Sequence, residues 1–255
     1  MCLFLNTQQH NNKTNLSGLI NKQTNIHNMN ALVLGATGLC GNFMLKYSIA
    51  AKEVNKVFTI TRSPLQGHQD EDPKVTSYQD KDNAKWGGII KNDIKDNIDI
   101  LLTGLATTRT VAGNDFQYTI DHDLNIELAK AAKDKGCKTL VVVSTMGANK
   151  DSHFFYPRMK GEIERDLIAL GFDKTIVLRP GILLGERVKE HHGTGNGTAT
   201  TLGNWFYRSR CQWLLGYPVK GEEVAKVGVY LALKDTKEKI QIVGSSEILK
   251  IASKL

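Results

Sequence analysis

The sequence predicts an α/β fold, a Rossmann-type doubly wound parallel sheet, on two observations. Short apolar runs alternate with helix-length stretches from Asn30 onward, the order expected of βαβ units. A glycine-rich turn joins the first run to the first helical stretch. No apolar stretch approaches the ~18 to 20 residues that would span a bilayer. In chain order, 31–34 reads as the first strand, 39–51 as the first helix, 56–61 as the second strand and 98–102 as another. Residues 124–135 read as a helix because Leu124, Leu128 and Ala132 recur at four-residue spacing, with Gly136 where a C-cap is expected. Strand 140–144, helix 156–170 closed by Gly171, and strand 175–178 complete the alternation. After Arg179-Pro180-Gly181 the pattern loosens, and 192–203 is rich in Gly, Thr and Asn. In an open α/β sheet such late insertions lie over the carboxyl ends of the strands, so about 182–220 is expected to be a small substrate-covering region. Residues 248–255 read as a terminal helix.

At 255 residues, with Gly 23, Pro 5 and Cys 4, collagen-like and disulfide-scaffold classes are excluded and one domain over 29–255 is expected. Cys2, Cys40, Cys137 and Cys211 lack CxxC spacing and read as isolated reduced thiols. A formal charge of +7 favours an anionic partner, such as a phosphate-bearing cofactor. Basic and acidic residues are interleaved, so nucleic-acid binding is not expected. Residues 1–28 are rich in Asn and Gln and lack Asp and Glu, which reads as a disordered extension or a poor transit segment, with Met29 an alternative start.

The chemistry starts at Gly35-Ala36-Thr37-Gly38-Leu39-Cys40-Gly41, which follows a strand and opens a helix. There, backbone N–H groups at a positive helix end can meet a pyrophosphate. Gly35 permits the tight turn, Gly38 the approach of phosphates, and Gly41 the packing of helix on strand. Twenty-one residues past Gly41, at the end of the second strand, stands Arg62. A carboxylate there would repel a 2′-phosphate and an arginine can fork onto it, so NADP(H) is expected over NAD. Tyr156 and Lys160 are four apart on one helix face, with Pro157 in the first turn. A phenol, with a pKa of about 10 in water, is a poor acid-base group at neutral pH, and a nearby ammonium favours its phenolate. Ser144 and Thr145 end a strand twelve and eleven residues upstream of Tyr156, where a hydroxyl can orient a substrate carbonyl.

Glycine turn, strand-end hydroxyl and YxxxK in this order resemble the short-chain dehydrogenase/reductase superfamily, in its extended or atypical branch. More narrowly, 29–41, Thr107-Thr108-Arg109 with Ala112-Gly113, 156–162 and 179–187 resemble the Tat-interacting oxidoreductase-like proteins and their fungal mitochondrial counterparts, over about residues 29–250. The resemblance implies Tyr156 as catalytic tyrosine, Lys160 as the lysine that also holds the nicotinamide ribose, and Thr145 as hydroxyl partner. Relatives often carry Ser-Ser where this chain has Ser144-Thr145, so Ser144 could share the role. It also implies that Gly104, Leu105 and Ala106 lie beside the cofactor and that Pro180 flanks the nicotinamide. Finally, it implies NADPH binding and peripheral association with the mitochondrial outer membrane.

The reading that follows is an NADPH-binding oxidoreductase reducing a small carbonyl substrate. The alternative is an NADPH-sensing protein in which the 192–203 loop gates a protein partner without significant turnover. His191-His192 is not expected to bind metal. Trp205, Phe206, Trp213 and Leu214 are expected to pack the C-terminal region rather than form a membrane-touching patch. Ser253-Lys254-Leu255 matches a peroxisomal address, which makes the peroxisome the alternative to the mitochondrion.

Overall fold

The structure, a computed structural model, describes residues 28–107, 113–185, 205–209 and 211–255. Residues 1–27, Thr108, Arg109, Ala112, His191, His192 and the 192–203 segment lie outside them. The described chain runs β1 (Met29–Leu34), α1 (Leu39–Ala50), β2 (Val54–Thr61), β3 (Val75–Gln79), α2 (Trp86–Gly88), β4 (Ile100–Thr103), α3 (Gly113–Tyr118), α4 (Asn125–Asp134), β5 (Thr139–Val143) and α5 (Phe155–Ala169). It continues with β6 (Lys174–Arg179), β7 (Leu183–Leu184), β8 (Val219–Lys220), α6 (Gly221–Leu233), β9 (Ile240–Gly244) and α7 (Ser245–Ala252).

Seven strands form one parallel sheet in the order β3-β2-β1-β4-β5-β6-β9, the doubly wound Rossmann-like arrangement expected from the alternation. Successive residues of a strand face opposite sides, and β1 shows why its buried stretch 31–34 is apolar throughout. Ala31 and Val33 join a core that includes Met44 of α1, Val227 of α6 and Ile248 of α7. Leu32 and Leu34 join the opposite core with Trp86, Leu128 of α4 and Ile163 of α5. A strand covered on both faces has no solvent side on which to place polar residues.

Strands β3 and β9 were not anticipated. Both are edge strands; Ile240 and Ile242 of β9 are exposed, and β3 has no fully buried residue. Helix α4 begins near its expected start, but helix precedes it: α3 runs through a π-turn over Thr119–Leu124 into α4. The expectation of inward packing is corrected for Trp205, Trp213 and Leu214, while Phe206 is half-buried. Trp205 is 83% exposed, Trp213 61% and Leu214 56%, because the short turn Gln212–Leu215 that carries the last two buries no residue.

The strand order reverses beside β1, between β1 and β4, the place where ligands bind in such sheets. Four loops leave the adjacent carboxyl ends of β1, β4, β5 and β6 there. Backbone bonds knit them: Gly104 N–H donates to Leu34, Ser144 N–H to Leu178 and Met146 N–H to Pro180.

Candidate functional site

At the first loop, Gly35 has φ +76°, and a Cβ there would lie 2.8 Å from Gly104 and Leu105 backbone atoms. A Cβ on Gly41 would lie 2.0 Å from the Gly35 carbonyl oxygen. The two glycines therefore let the turn sit against both the β4 loop and helix α1. Gly38 differs: its backbone is extended and a Cβ would meet only the Gly35 oxygen, at 3.2 Å. Helix α1 starts at this turn with no side-chain cap and no acid in its first turn, which leaves orphan N–H groups at its positive end. Ala36 and Cys40 are buried in the core beneath, while Leu39 packs on Gly185 and Gly221. The Thr37 carbonyl accepts a bond from Gln66. Arg62, one residue past β2, is exposed and makes no hydrogen bond or ion pair among the described residues. A cradle that side chains would fill, uncapped donors and an uncommitted guanidinium with no carboxylate in the motif fit a dinucleotide phosphate.

The turn after β4 is held from the side by the long helix. Asn125 donates to the Leu105 carbonyl at 3.1 Å and accepts from Thr103 Oγ1 at 2.6 Å. Asp121, one turn earlier in the π-segment, accepts from the Thr107 N–H at 2.6 Å. Gly104 and Leu105 are partly covered and Ala106 is exposed, so this turn presents backbone beside the glycine loop.

Helix α5 brings Tyr156 and Lys160 to the same edge. Tyr156 is 44% exposed and Lys160 is buried, with the ammonium 5.9 Å from the phenol ring centroid. The turn after β5 docks on this helix, since Asn149 N–H donates to the Pro157 carbonyl and Gly161 leaves room for the backbone of Asn149 and Lys150. Thr145 opens that turn and is half-buried, its carbonyl accepting from Ala148. Ser144 is buried and its hydroxyl donates to Glu164. Glu164 in turn is gripped by the Arg179 guanidinium through Nε at 3.0 Å and Nη2 at 2.5 Å, and this contact holds the Arg179 pKa above its usual value. Thus Ser144 is committed to a buried carboxylate and Thr145 has the freer hydroxyl. Pro180 is buried, with its carbonyl taken by Met146, so its ring is walled in rather than presented openly.

Sequence reading missed Asp121, Asn125 and Glu164. The first two carried no distinct signal, since Asp121 and Asn125 stand among the polar neighbours His122, Asp123 and Glu127. The last reads on its own as an ordinary surface position of α5. The C-terminal segment also reaches this edge: a Cβ on Gly181 would lie 2.1 Å from the Gly216 oxygen, and Gly216 packs on Met146. Its strands β7 and β8 pair as a separate parallel ribbon.

Comparisons with known proteins agree with this architecture. The family described as HIM1 matches residues 54–209. "Protein FMP52, mitochondrial" of Saccharomyces cerevisiae is 52% identical over 230 residues, covering 89% of this chain and 98% of that protein. The Candida albicans protein of the same name is 40% identical, covering 89% and 100%. Among solved structures, a 3-oxoacyl (acyl-carrier-protein) reductase from Agrobacterium tumefaciens with NADP bound superposes with TM-score 0.61 at 13% identity, covering 86% of this chain and 94% of that one. MoeE5 in complex with UDP-glucose and NAD gives 0.60 at 13%, covering 88% and 81%. The structural likeness establishes the short-chain dehydrogenase/reductase fold.

Proposed function

The chain belongs to the HIM1 family together with the fungal FMP52 proteins, and from that premise we propose that it is an NADPH-dependent oxidoreductase that reduces a small carbonyl substrate. The observation that carries the proposal is the buried Lys160 ammonium held against the exposed Tyr156 ring, beside a glycine cradle suited to phosphates.

Gly35 to Gly41 and the N-terminus of α1 would hold the pyrophosphate, Arg62 the 2′-phosphate, and Lys160 the nicotinamide ribose. The chemistry supplied by bound NADPH is a hydride for the carbonyl carbon. Thr145 hydrogen-bonds the carbonyl oxygen and fixes its direction. Tyr156 gives that oxygen its phenolic proton as negative charge develops there. Tyr156→Phe is expected to lower turnover by about 10²- to 10⁴-fold and to leave NADPH binding unchanged in a fluorescence titration. Undiminished turnover across a panel of carbonyl compounds would overturn the assignment.

The cellular site follows the relatives' names. We place the protein peripherally at the mitochondrial outer membrane, a reading supported by the exposed Trp205, Trp213 and Leu214 and by the lack, among the described residues, of any helix long and apolar enough to cross a membrane. Alkaline carbonate should release it from purified mitochondria. Retention in the pellet would refute peripheral attachment, and peroxisomal fluorescence that disappears on deletion of Leu255 would refute the location.

A further inference from the structure

Asp121 has no part in the mechanism above, yet it sits against the residue on which that mechanism turns. Its side chain is 1% exposed, that of Lys160 is 5% exposed, and Oδ2 lies 3.7 Å from the ammonium nitrogen. The two carboxylate oxygens have different surroundings. Oδ1 accepts the Thr107 N–H, whereas Oδ2 makes no hydrogen bond among the described residues. A buried carboxylate oxygen without a donor is costly unless a charge faces it, and Lys160 is the charge that does. Burial pushes the Asp121 carboxyl up from its usual range, while Lys160, the Thr107 amide and the Gln117 side chain pull it back.

The backbone is built to aim it. Thr119–Leu124 is a π-turn between two α-helical stretches, a local widening that re-registers the helix and recurs at functional sites. It sets Asp121 against the turn after β4 at Thr107 while Asn125, four residues on, takes the same turn at Thr103 and Leu105. One carboxylate thus touches the cofactor-side loop with one oxygen and faces the lysine of the Tyr156 pair with the other.

We propose that Asp121 is a positioning residue of the site, holding the Lys160 ammonium in place and tying it to the loop after β4. The proposal rests on the oxidoreductase reading above for its consequences in turnover, while the pairing itself is independent of that reading. Without the carboxylate, Lys160 is an uncompensated buried ammonium that leaves its position, and its hold on the ribose and on the phenol goes with it.

The test is a double-mutant cycle on the full chain, Asp121→Asn, Lys160→Met and the pair together, read by thermal melting and by NADPH fluorescence titration. Removing one partner of a buried ion pair is far more damaging than removing both. The melting temperature lost in Asp121→Asn should therefore be largely recovered in the double variant. In folded Asp121→Asn, NADPH affinity should fall about tenfold, the worth of a lost charged hydrogen bond, and turnover should fall with it. The same substitution in the Lys160→Met background should change NADPH affinity by less than about twofold. Additive melting shifts, or an equal affinity loss in both backgrounds, would overturn the pairing. Should Asp121→Asn not fold alone, the recovery of folding in the double variant still decides it. Wild-type protein that binds no NADPH would refute the oxidoreductase reading, and the melting cycle would still judge the pair.

Discussion

Gly41→Ala and Gly38→Ala separate the two tasks of the glycine turn. At Gly41 the new Cβ would sit 2.0 Å from the Gly35 carbonyl oxygen, 2.5 Å from its carbon and 3.0 Å from Ala36 N. An ordinary contact needs about 3.4 Å, so helix and turn must part by more than an ångström, and every atom met is backbone. Overpacking of this kind costs about 1–3 kcal/mol or more. In a domain of this size each kcal/mol moves the melting temperature by about 2–4 °C, so about 3 kcal/mol gives a fall of about 6–12 °C without any cofactor present. At Gly38 the single contact is 3.2 Å and the extended backbone suits alanine, so the melting temperature should stay within about 3 °C. There the methyl group instead stands where a phosphate is expected, and NADPH affinity should fall at least about tenfold. Differential scanning fluorimetry on both apo variants and NADPH titration of Gly38→Ala decide the matter. A wild-type melting temperature for Gly41→Ala would refute the packing argument. Unchanged NADPH affinity in Gly38→Ala would refute the phosphate cradle.

Arg62→Ala should weaken NADPH by about ten- to a hundredfold, the worth of a charge-assisted hydrogen bond, and leave NADH nearly untouched; parallel titrations at matched salt check it, and equal losses would count against a 2′-phosphate contact. Ser144→Ala should keep turnover while costing about 1.5–3 kcal/mol of stability, because its hydroxyl is spent on the buried Glu164 carboxylate. Thr145→Ala should do the reverse, lowering turnover at least about tenfold with little change in melting, since its hydroxyl is the one left for a substrate; steady-state rates and melts of the two variants would expose a swapped assignment. The Arg165 side chain, with help from His122, holds the Asp166 carboxyl down at about 2, from the usual 3.8. A depressed folded pKa means the pair stabilises above the unfolded value and the contribution is lost as pH falls from about 4 to 2. Asp166→Asn should accordingly flatten the melting-temperature profile over that interval, and an unchanged slope would show that the pairing contributes nothing.

Much of this molecule is written locally. The Gly35–Gly41 spacing, the four-residue interval from Tyr156 to Lys160 and the doubly apolar strands are consequences of turn geometry, helical pitch and two-sided burial, each contained in a short window. These windows set the alternation, the helix faces and the edge at which the glycine turn and YxxxK meet. Strands β3 and β9 escaped because an edge strand is shielded on few sides, so its residues carry no strong apolar signature. Trp213 and Leu214 misled for the converse reason, since apolar character does not say whether a partner surface is near.

The rest was decided only by tertiary structure. Ser144 and Thr145 are neighbours with the same chemistry, and folding alone assigns one to Glu164 and leaves the other available, because Glu164 and Arg179 arrive from a helix and a strand distant in sequence. Asp121 reads as one more acid on a helix until the π-turn aims it at Lys160. A single sequence records each residue's chemistry and its local period. Which charges meet across the sheet is set by chain crossings that no window contains.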